Sequence, residues 1–322
     1  MNARPLGHSG IAVGEIGYGA MGLTWAYGEA VTAANEVDAI ALIARAIELG
    51  VTLFDTAEMY GPFTNELLLG KALRGKRERV TVATKTGIVP HAAGEPHEYD
   101  GRPAAIERAV EGSLRRLGID VIDLYQLHRM DPAVPIEESV GALGQLVTAG
   151  KVRAIGLSEV DVATLERAVA VHPIATLQSE LSLWTRDALD AVLPWCAAHG
   201  VGFLAFSPLG RGFLTGRLTR DAIKPGDFRA TLPRFQADNF ARNTALVERI
   251  AAVAERHGAA SGQVALAWAL AQAPNVVPIP GTKRIAYLEE NAGAASLRLS
   301  ASDLAELDAI GVPAGARYAP TT

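Results

Sequence analysis

Four residues that exchange protons stand at, or just past, the ends of apolar runs in this 322-residue chain. Asp55 closes the run "VTLF" (51–54), and Tyr60 follows five residues later in "FDTAEMYG". Lys85 ends the run in "TVATKTG", and His128 ends the one in "LYQLHRM". Alone, each has an ordinary use: a turn cap, a half-buried aromatic, an ion-pair partner, a satisfied core histidine. Together, at successive strand ends, they compose a proton-transfer set. A tyrosine loses its proton near pH ~10, and lowering that by ~3 units corresponds to about 4 kcal/mol. A charge pair about 4 Å apart supplies about 1 kcal/mol in water and about 4 at an effective dielectric near 20. Lys85, in a partly buried site, is therefore expected to lower the Tyr60 pKa. Asp55 would hold Lys85 charged and oriented, offsetting part of that effect. His128 would donate a hydrogen bond to a substrate oxygen. A proton donor aimed at an oxygen, with a polariser beside it, suits reduction of a carbonyl to an alcohol. The set contains no hydride source, so a cofactor must bring one.

Such a set works only if the chain brings those strand ends together. Strand-like and helix-like segments alternate almost from end to end. Strands are expected at 15–19, 51–54, 80–84, 121–127, 152–157, 174–178, 201–206 and 276–279. Helices are expected at 35–49, 65–75, 103–118, 135–150, 161–170, 187–200 (kinked at Pro194), 243–258, 262–272, 285–292 and 302–310. Eight apolar strands alternating with helices predict a parallel α/β sheet closed as one (β/α)₈ TIM barrel over residues 1–322. The strand ends would then share one mouth. The alternative is an open doubly wound sheet, whose phosphate fingerprint "GYGAMG" (17–22) matches in spacing. That match lacks its context, because "LTWAYGEAVTA" reads as loop rather than helix. Ahead of the barrel, "RPLGHSGIAVGEIG" reads as a hairpin that caps the floor. Residues 207–240, after the seventh strand, form a long arginine-bearing loop, expected to close over an anion.

The composition narrows the function further. Hydrophobic residues make up 49% of the chain and charged residues 20%, enough for a large core. A net charge of −5 opposes a nucleic-acid partner, which requires a basic stripe. Cys196 is the only cysteine, so no intrachain disulfide can form. No secretory h-region and no membrane-length apolar stretch is visible, which points to a cytoplasmic protein with no membrane partner.

With these residues in view, the chain resembles the aldo-keto reductase superfamily, in the branch of bacterial and plant reductases that is also similar to potassium-channel β-subunits. The resemblance runs over nearly the whole chain. It is carried by "GYGAMGL", "FDTAEMYG", "VATKTG", "DLYQLHRMDP", "AIGLSEV", "LQSELSLW", "FSPLGRGFLTG" and "PIPGTKRIAYLEEN". It implies that Asp55, Tyr60, Lys85 and His128 form a catalytic tetrad and that the cofactor is NADPH/NADP, extended across the mouth. By the same resemblance Gly19, Ala20, Met21 and Asp55 approach the nicotinamide, while Ser158 and Gln178 hold its carboxamide. Phe206, Ser207, Pro208, Leu209, Gly210 and Arg211 would cover the pyrophosphate. Gly281, Lys283, Arg284, Tyr287, Glu290 and Asn291 would hold the adenosine portion, with Lys283 or Arg284 on the 2′-phosphate.

Two departures stand out. Many relatives carry asparagine where this chain has Glu159, and an aromatic where it has Leu181. Trp25 and Tyr27, with Arg317 and Tyr318 in the tail, are expected to line a pocket for aromatic or bulky apolar aldehydes and ketones, and Trp184 is expected either to line that pocket or to anchor a loop. The expected partner is thus a small carbonyl compound, and a homo-oligomer is compatible with the reading. Two rivals compete. One is a metal-dependent barrel hydrolase built on "HAAGEPHEYD" (91–100). The other is a redox-sensing regulatory subunit that binds the cofactor and turns over little.

Overall fold

The N-terminal hairpin and the barrel divide the apolar interior between them in a computed structural model that describes residues 1–91 and 95–319. Strands β1 (Ala3–Pro5) and β2 (Ala12–Gly14) pair antiparallel. The barrel strands are β3 (Tyr18–Gly19), β4 (Leu53–Asp55), β5 (Thr81–Thr86), β6 (Ile122–Leu127), β7 (Val152–Ser158), β8 (Thr176–Glu180), β9 (Gly202–Phe206) and β10 (Val276–Pro278). They run parallel in the order β3 to β10. Two backbone bonds close the seam between first and last: Gly17 N–H to the Pro278 carbonyl at 2.9 Å, and Gly19 N–H to the Pro280 carbonyl at 3.2 Å.

The seam explains the glycines of "GYGAMG". A Cβ on Gly19 would lie 2.6 Å from the Ile279 carbonyl oxygen, and one on Gly281 would lie 2.5 Å from the Gly19 oxygen. Only residues without a side chain let the two strands meet this closely. A spacing that mimics a dinucleotide fingerprint thus serves barrel closure.

Side chains alternate across each strand. The inward row begins apolar: Leu53, Ala83, Leu124, Ala154, Leu204 and Val277 pack with Leu6, Ile11 and Val13 from the hairpin region, which fills the floor. Two residues further along, the same row turns polar, with Asp55, Lys85 and Gln126. The outward row, including Phe54, Val82, Tyr125, Ile155 and Phe203, meets the helices in the main core.

Eleven helices are described: α1 (Met21–Thr24), α2 (Glu36–Glu48), α3 (Thr64–Leu73), α4 (Pro103–Leu117), α5 (Ile136–Thr148), α6 (Val162–Val169), α7 (Val192–Ala198), α8 (Ala237–Arg256), α9 (Ser261–Gln272), α10 (Ile285–Gly293) and α11 (Ala301–Asp308). Helix α4 shows the local logic. Proline opens it, Ile106, Val110, Ser113 and Leu117 recur on its buried face, and Gly118 stops it in the left-handed region.

Three expectations are corrected. A single helical turn, α1, does follow "GYGA", although Trp25 returns at once to extended backbone. The segment 187–200 is broken at residues 190–191 rather than kinked at Pro194. Pro194 lies in the first turn of α7, where its missing N–H has no intrahelical partner to lose. The segment after β9 is a chain of 3₁₀ turns, and α8 begins at Ala237, six residues earlier than expected. There Asn243, buried in α8, donates to the carbonyls of Arg234 and Ala314, tying helix, loop and tail together. Among the described residues, no helix is long and apolar enough to cross a membrane.

Candidate active site

The polar inward row converges at the C-terminal ends of β4, β5 and β6. Lys85 is fully buried and uses all three ammonium donors: Asp55 Oδ1 at 2.5 Å, the Thr56 carbonyl at 2.8 Å and the Tyr60 hydroxyl at 3.3 Å. The other Asp55 oxygen accepts from Gln178 Nε2 at 2.8 Å and Gln126 Nε2 at 3.3 Å. The rings of Tyr60 and His128 meet edge to face, 5.6 Å between centres. The four residues read from the strand ends therefore share one cluster. Strand register explains it: Asp55 pairs with Ala83 and Lys85 with Gln126, which places the inward residues side by side.

The electrostatics correct one expectation. Burial raises the Tyr60 pKa above its ordinary value, outweighing the Lys85 ammonium, and Asp55 adds to the rise. The low dielectric that strengthens the lysine's attraction also penalises the phenolate itself. Tyr60 is thus held as a neutral phenol. Lys85 is held above its usual value: burial opposes its charge, but Asp55 and Tyr60 outweigh that. Burial, with the charges of Lys85 and Arg129 and nearby His97, pushes His128 well below the ordinary histidine value, so it is neutral at physiological pH.

Sequence reasoning missed several groups. Gln126 is a polar residue inside an apolar strand, which was the available signal. Arg129 Nη1 bridges the His128 carbonyl at 2.6 Å and Ser158 Oγ at 3.0 Å. Glu58, behind the loop that carries Tyr60, accepts from Thr86 Oγ1 at 2.7 Å and lies 3.6 Å from Arg116. Burial raises its carboxyl to about 7, with Glu66 adding to the effect. Glu180 is buried at the end of β8 and gathers Arg317 Nε at 2.6 Å, Arg211 Nη2 at 3.5 Å and Thr185 Oγ1 at 2.9 Å.

The remaining expected residues fall into several separate sets of contacts. Trp25 packs against Ala57, Met59, Tyr60 and Ile88. The Tyr27 hydroxyl accepts from Arg211 Nη1 at 2.9 Å, and Arg211 also reaches the Tyr318 hydroxyl at 3.0 Å. Ser207 and Arg211 both adopt positive φ, as the tight path after β9 demands. Lys283 Nζ donates to the carbonyls of Tyr27 and Glu29. Arg284 stacks on Tyr287, while Glu290 pairs with Arg217 at 2.8 Å. Trp184 takes the second of its two expected places. It is 3% exposed, stacked on Phe213 with centres 4.8 Å apart and edge-on to Phe235. It anchors the segment after β9 and has no open face to offer a substrate. Leu181 is likewise wholly buried in the core. Of the stretch 91–100, residues 92–94 lie outside the described residues. His91 and His97 approach to 2.6 Å. Among the described residues, no group of three or more metal-ligating side chains gathers.

Known proteins carry the same arrangement of strands. The profile of the aldo/keto reductase family matches residues 15–312. A curated relative from Glycine max, "Probable aldo-keto reductase 1", is 45% identical over 318 residues, 97% of this chain and 90% of that protein. Among solved structures, the glycerol dehydrogenase from Gluconobacter oxydans superposes with a TM-score of 0.86 at 31% identity, over 96% of this chain and 94% of that one. An aldo-keto reductase from Klebsiella pneumoniae, solved in complex with NADPH, aligns over the full length of both chains at 31% identity with a TM-score of 0.75. With a matching profile over most of its length and a buried Asp–Tyr–Lys–His cluster at the barrel mouth, this chain belongs to the aldo/keto reductase family.

Proposed function

We propose that this chain reduces aldehydes or ketones to alcohols with NADPH, and that Tyr60 delivers the proton. The carrying observation is the buried Tyr60 hydroxyl, held 3.3 Å from a fully paired Lys85 and kept protonated by its surroundings. An acid that is neutral at physiological pH suits reduction more than oxidation, which needs the phenolate. Neutral His128 beside it can donate one hydrogen bond to the substrate oxygen and help fix its position. Asp55 acts through Lys85, keeping it charged and aimed at the phenol.

The residues around the mouth suit a phosphorylated dinucleotide. Arg211 lines the path after β9, and Lys283 and Arg284 follow the seam glycine Gly281, where a 2′-phosphate would be met. A relative of similar length is described in complex with NADPH, which supports the choice of cofactor. When bound, the nicotinamide supplies the hydride. We assign Ser158 and Gln178 to its neighbourhood and the 207–211 stretch to the pyrophosphate. Trp25, packed on the apolar cluster that includes Tyr60, favours aromatic or bulky apolar carbonyl compounds.

The test is NADPH oxidation, followed by absorbance, with a panel of aromatic and aliphatic aldehydes and ketones. Turnover is expected, with aromatic aldehydes ahead. No turnover across the panel, with NADPH binding intact, would overturn the catalytic reading in favour of a cofactor-binding regulator.

A further inference from the structure

Glu159 occupies an awkward piece of backbone. Its φ is +56°, a region that asparagine enters far more readily than glutamate. Its N–H donates to the Gln178 carbonyl at 3.0 Å, which fixes it beside the ends of β7 and β8. Its carboxylate is engaged twice: Oε1 accepts the Glu180 N–H at 3.0 Å, and Oε2 pairs with Arg317 Nη1 at 2.8 Å. Arg317 Nε pairs with Glu180 Oε2 at 2.6 Å, and the guanidinium lies over the Phe206 ring at the end of β9. The third nitrogen, Nη2, is buried and has no hydrogen-bond partner among the described residues. A buried donor left without an acceptor is unfavourable, so a ligand oxygen that met this nitrogen would relieve that cost.

A primary carboxamide presents one acceptor oxygen and two N–H donors. A carboxylate can take an N–H but has nothing to give the oxygen. The Nε2 of Gln178 is already donated to Asp55. We propose that Arg317 and Glu159 together hold the nicotinamide carboxamide, Arg317 Nη2 donating to its oxygen and Glu159 accepting from its nitrogen. This rests on the placement of the nicotinamide beside Ser158 proposed above. The tail residue then does with a guanidinium what a single amide side chain at position 159 would do alone.

The experiment titrates two ligands by fluorescence quenching: NADP⁺ and 2′-phospho-ADP-ribose, the same molecule without its nicotinamide. Arg317→Ala is expected to weaken NADP⁺ about tenfold, as for loss of a hydrogen bond from a charged donor, and to leave 2′-phospho-ADP-ribose nearly unchanged. Arg317→Lys keeps a charge for the two glutamates but loses the fork, so it shows the same selective loss. Adding Glu159→Asn to Arg317→Ala restores NADP⁺ affinity, because the amide carries both donor and acceptor and tolerates the positive φ. Equal losses for both ligands, or full rescue by Arg317→Lys, would mean that Arg317 only braces the tail, and overturn the proposal. Ser158→Ala separates the two claims. A selective loss there with none in Arg317→Ala refutes the Arg317 assignment alone. No selective loss in either variant refutes the nicotinamide placement as well.

Discussion

The two sides of the barrel mouth are held by different means. On the β4–β6 side, Asp55, Lys85 and Gln126 are successive inward positions of neighbouring strands, set side by side by backbone pairing. On the β7–β9 side, Glu159, Glu180, Arg211 and Arg317 come from strand ends, a 3₁₀ segment and the C-terminal tail. There the side chains hold the backbone in place, through ion pairs of 2.6 to 3.5 Å. The proposed proton chemistry, which tolerates little misplacement, rests on the rigid side. The proposed recognition rests on the side built from loops, where sequence can change without moving the tetrad.

The sharpest way to break this comparison is at Tyr60. Tyr60→Phe is expected to lower kcat for carbonyl reduction by roughly 10²- to 10⁴-fold, the usual worth of a positioned acid, while NADPH affinity measured by titration stays unchanged. In the unmodified enzyme, a phenol held above its ordinary pKa of 10 keeps its proton throughout the neutral range. Its contribution to reduction should therefore not decline between pH 6 and 9, as a pH profile of kcat would record, whereas alcohol oxidation should climb with pH.

Next in size is Asp55→Ala, which strips the fully buried Lys85 of its counter-ion. Breaking a buried pair from one side costs about 3–5 kcal/mol, so chemical denaturation should show a loss of that order. Loss of activity without loss of stability would mean that the rigid side is less tightly coupled than its geometry indicates.

Glu58 tests the rigid side in the opposite sense. Its carboxyl ionises near 7 folded against 4.5 in the reference state, a difference of about 3 kcal/mol. Below pH 4.5 both states are protonated and the shift has no effect. Between pH 4.5 and 7 the unfolded state sheds this proton while the folded state keeps it, so stability falls across that window, and above 7 the folded state carries the full cost of a buried charge. Glu58→Gln should therefore raise the melting temperature at pH 8, and the gain should vanish near pH 4.5.

The smallest effect is expected on the recognition side. Arg284→Ala should reduce the preference for NADPH over NADH by about tenfold, in the range for one partly exposed charged contact. Lys283→Ala should do less, because its ammonium must first leave the Tyr27 and Glu29 carbonyls. Cofactor titrations of both variants would check the order.

The eight strands, the hairpin floor and the four tetrad positions were legible because they depend on local pattern. Apolar alternation identifies the inward row, and the residue that breaks the row faces the mouth. The glycines of "GYGAMG" were legible as a motif but not as a seam, since Ile279 and Gly281 lie at the other end of the chain. Trp184 stayed open between pocket wall and loop anchor, because nothing in its sequence neighbours reveals that Phe213 and Phe235 cover it.

By itself, then, the sequence determined which side chains enter the barrel and where along each strand they turn polar, because strand alternation and helix punctuation act over a few residues. Only the tertiary structure decided the protonation preference of Tyr60 and the partner of Glu159. The first is a balance of burial against charge, set by everything that surrounds the phenol. The second depends on a tail more than 150 residues further along the chain, whose Arg317 reaches Glu159 only through the fold.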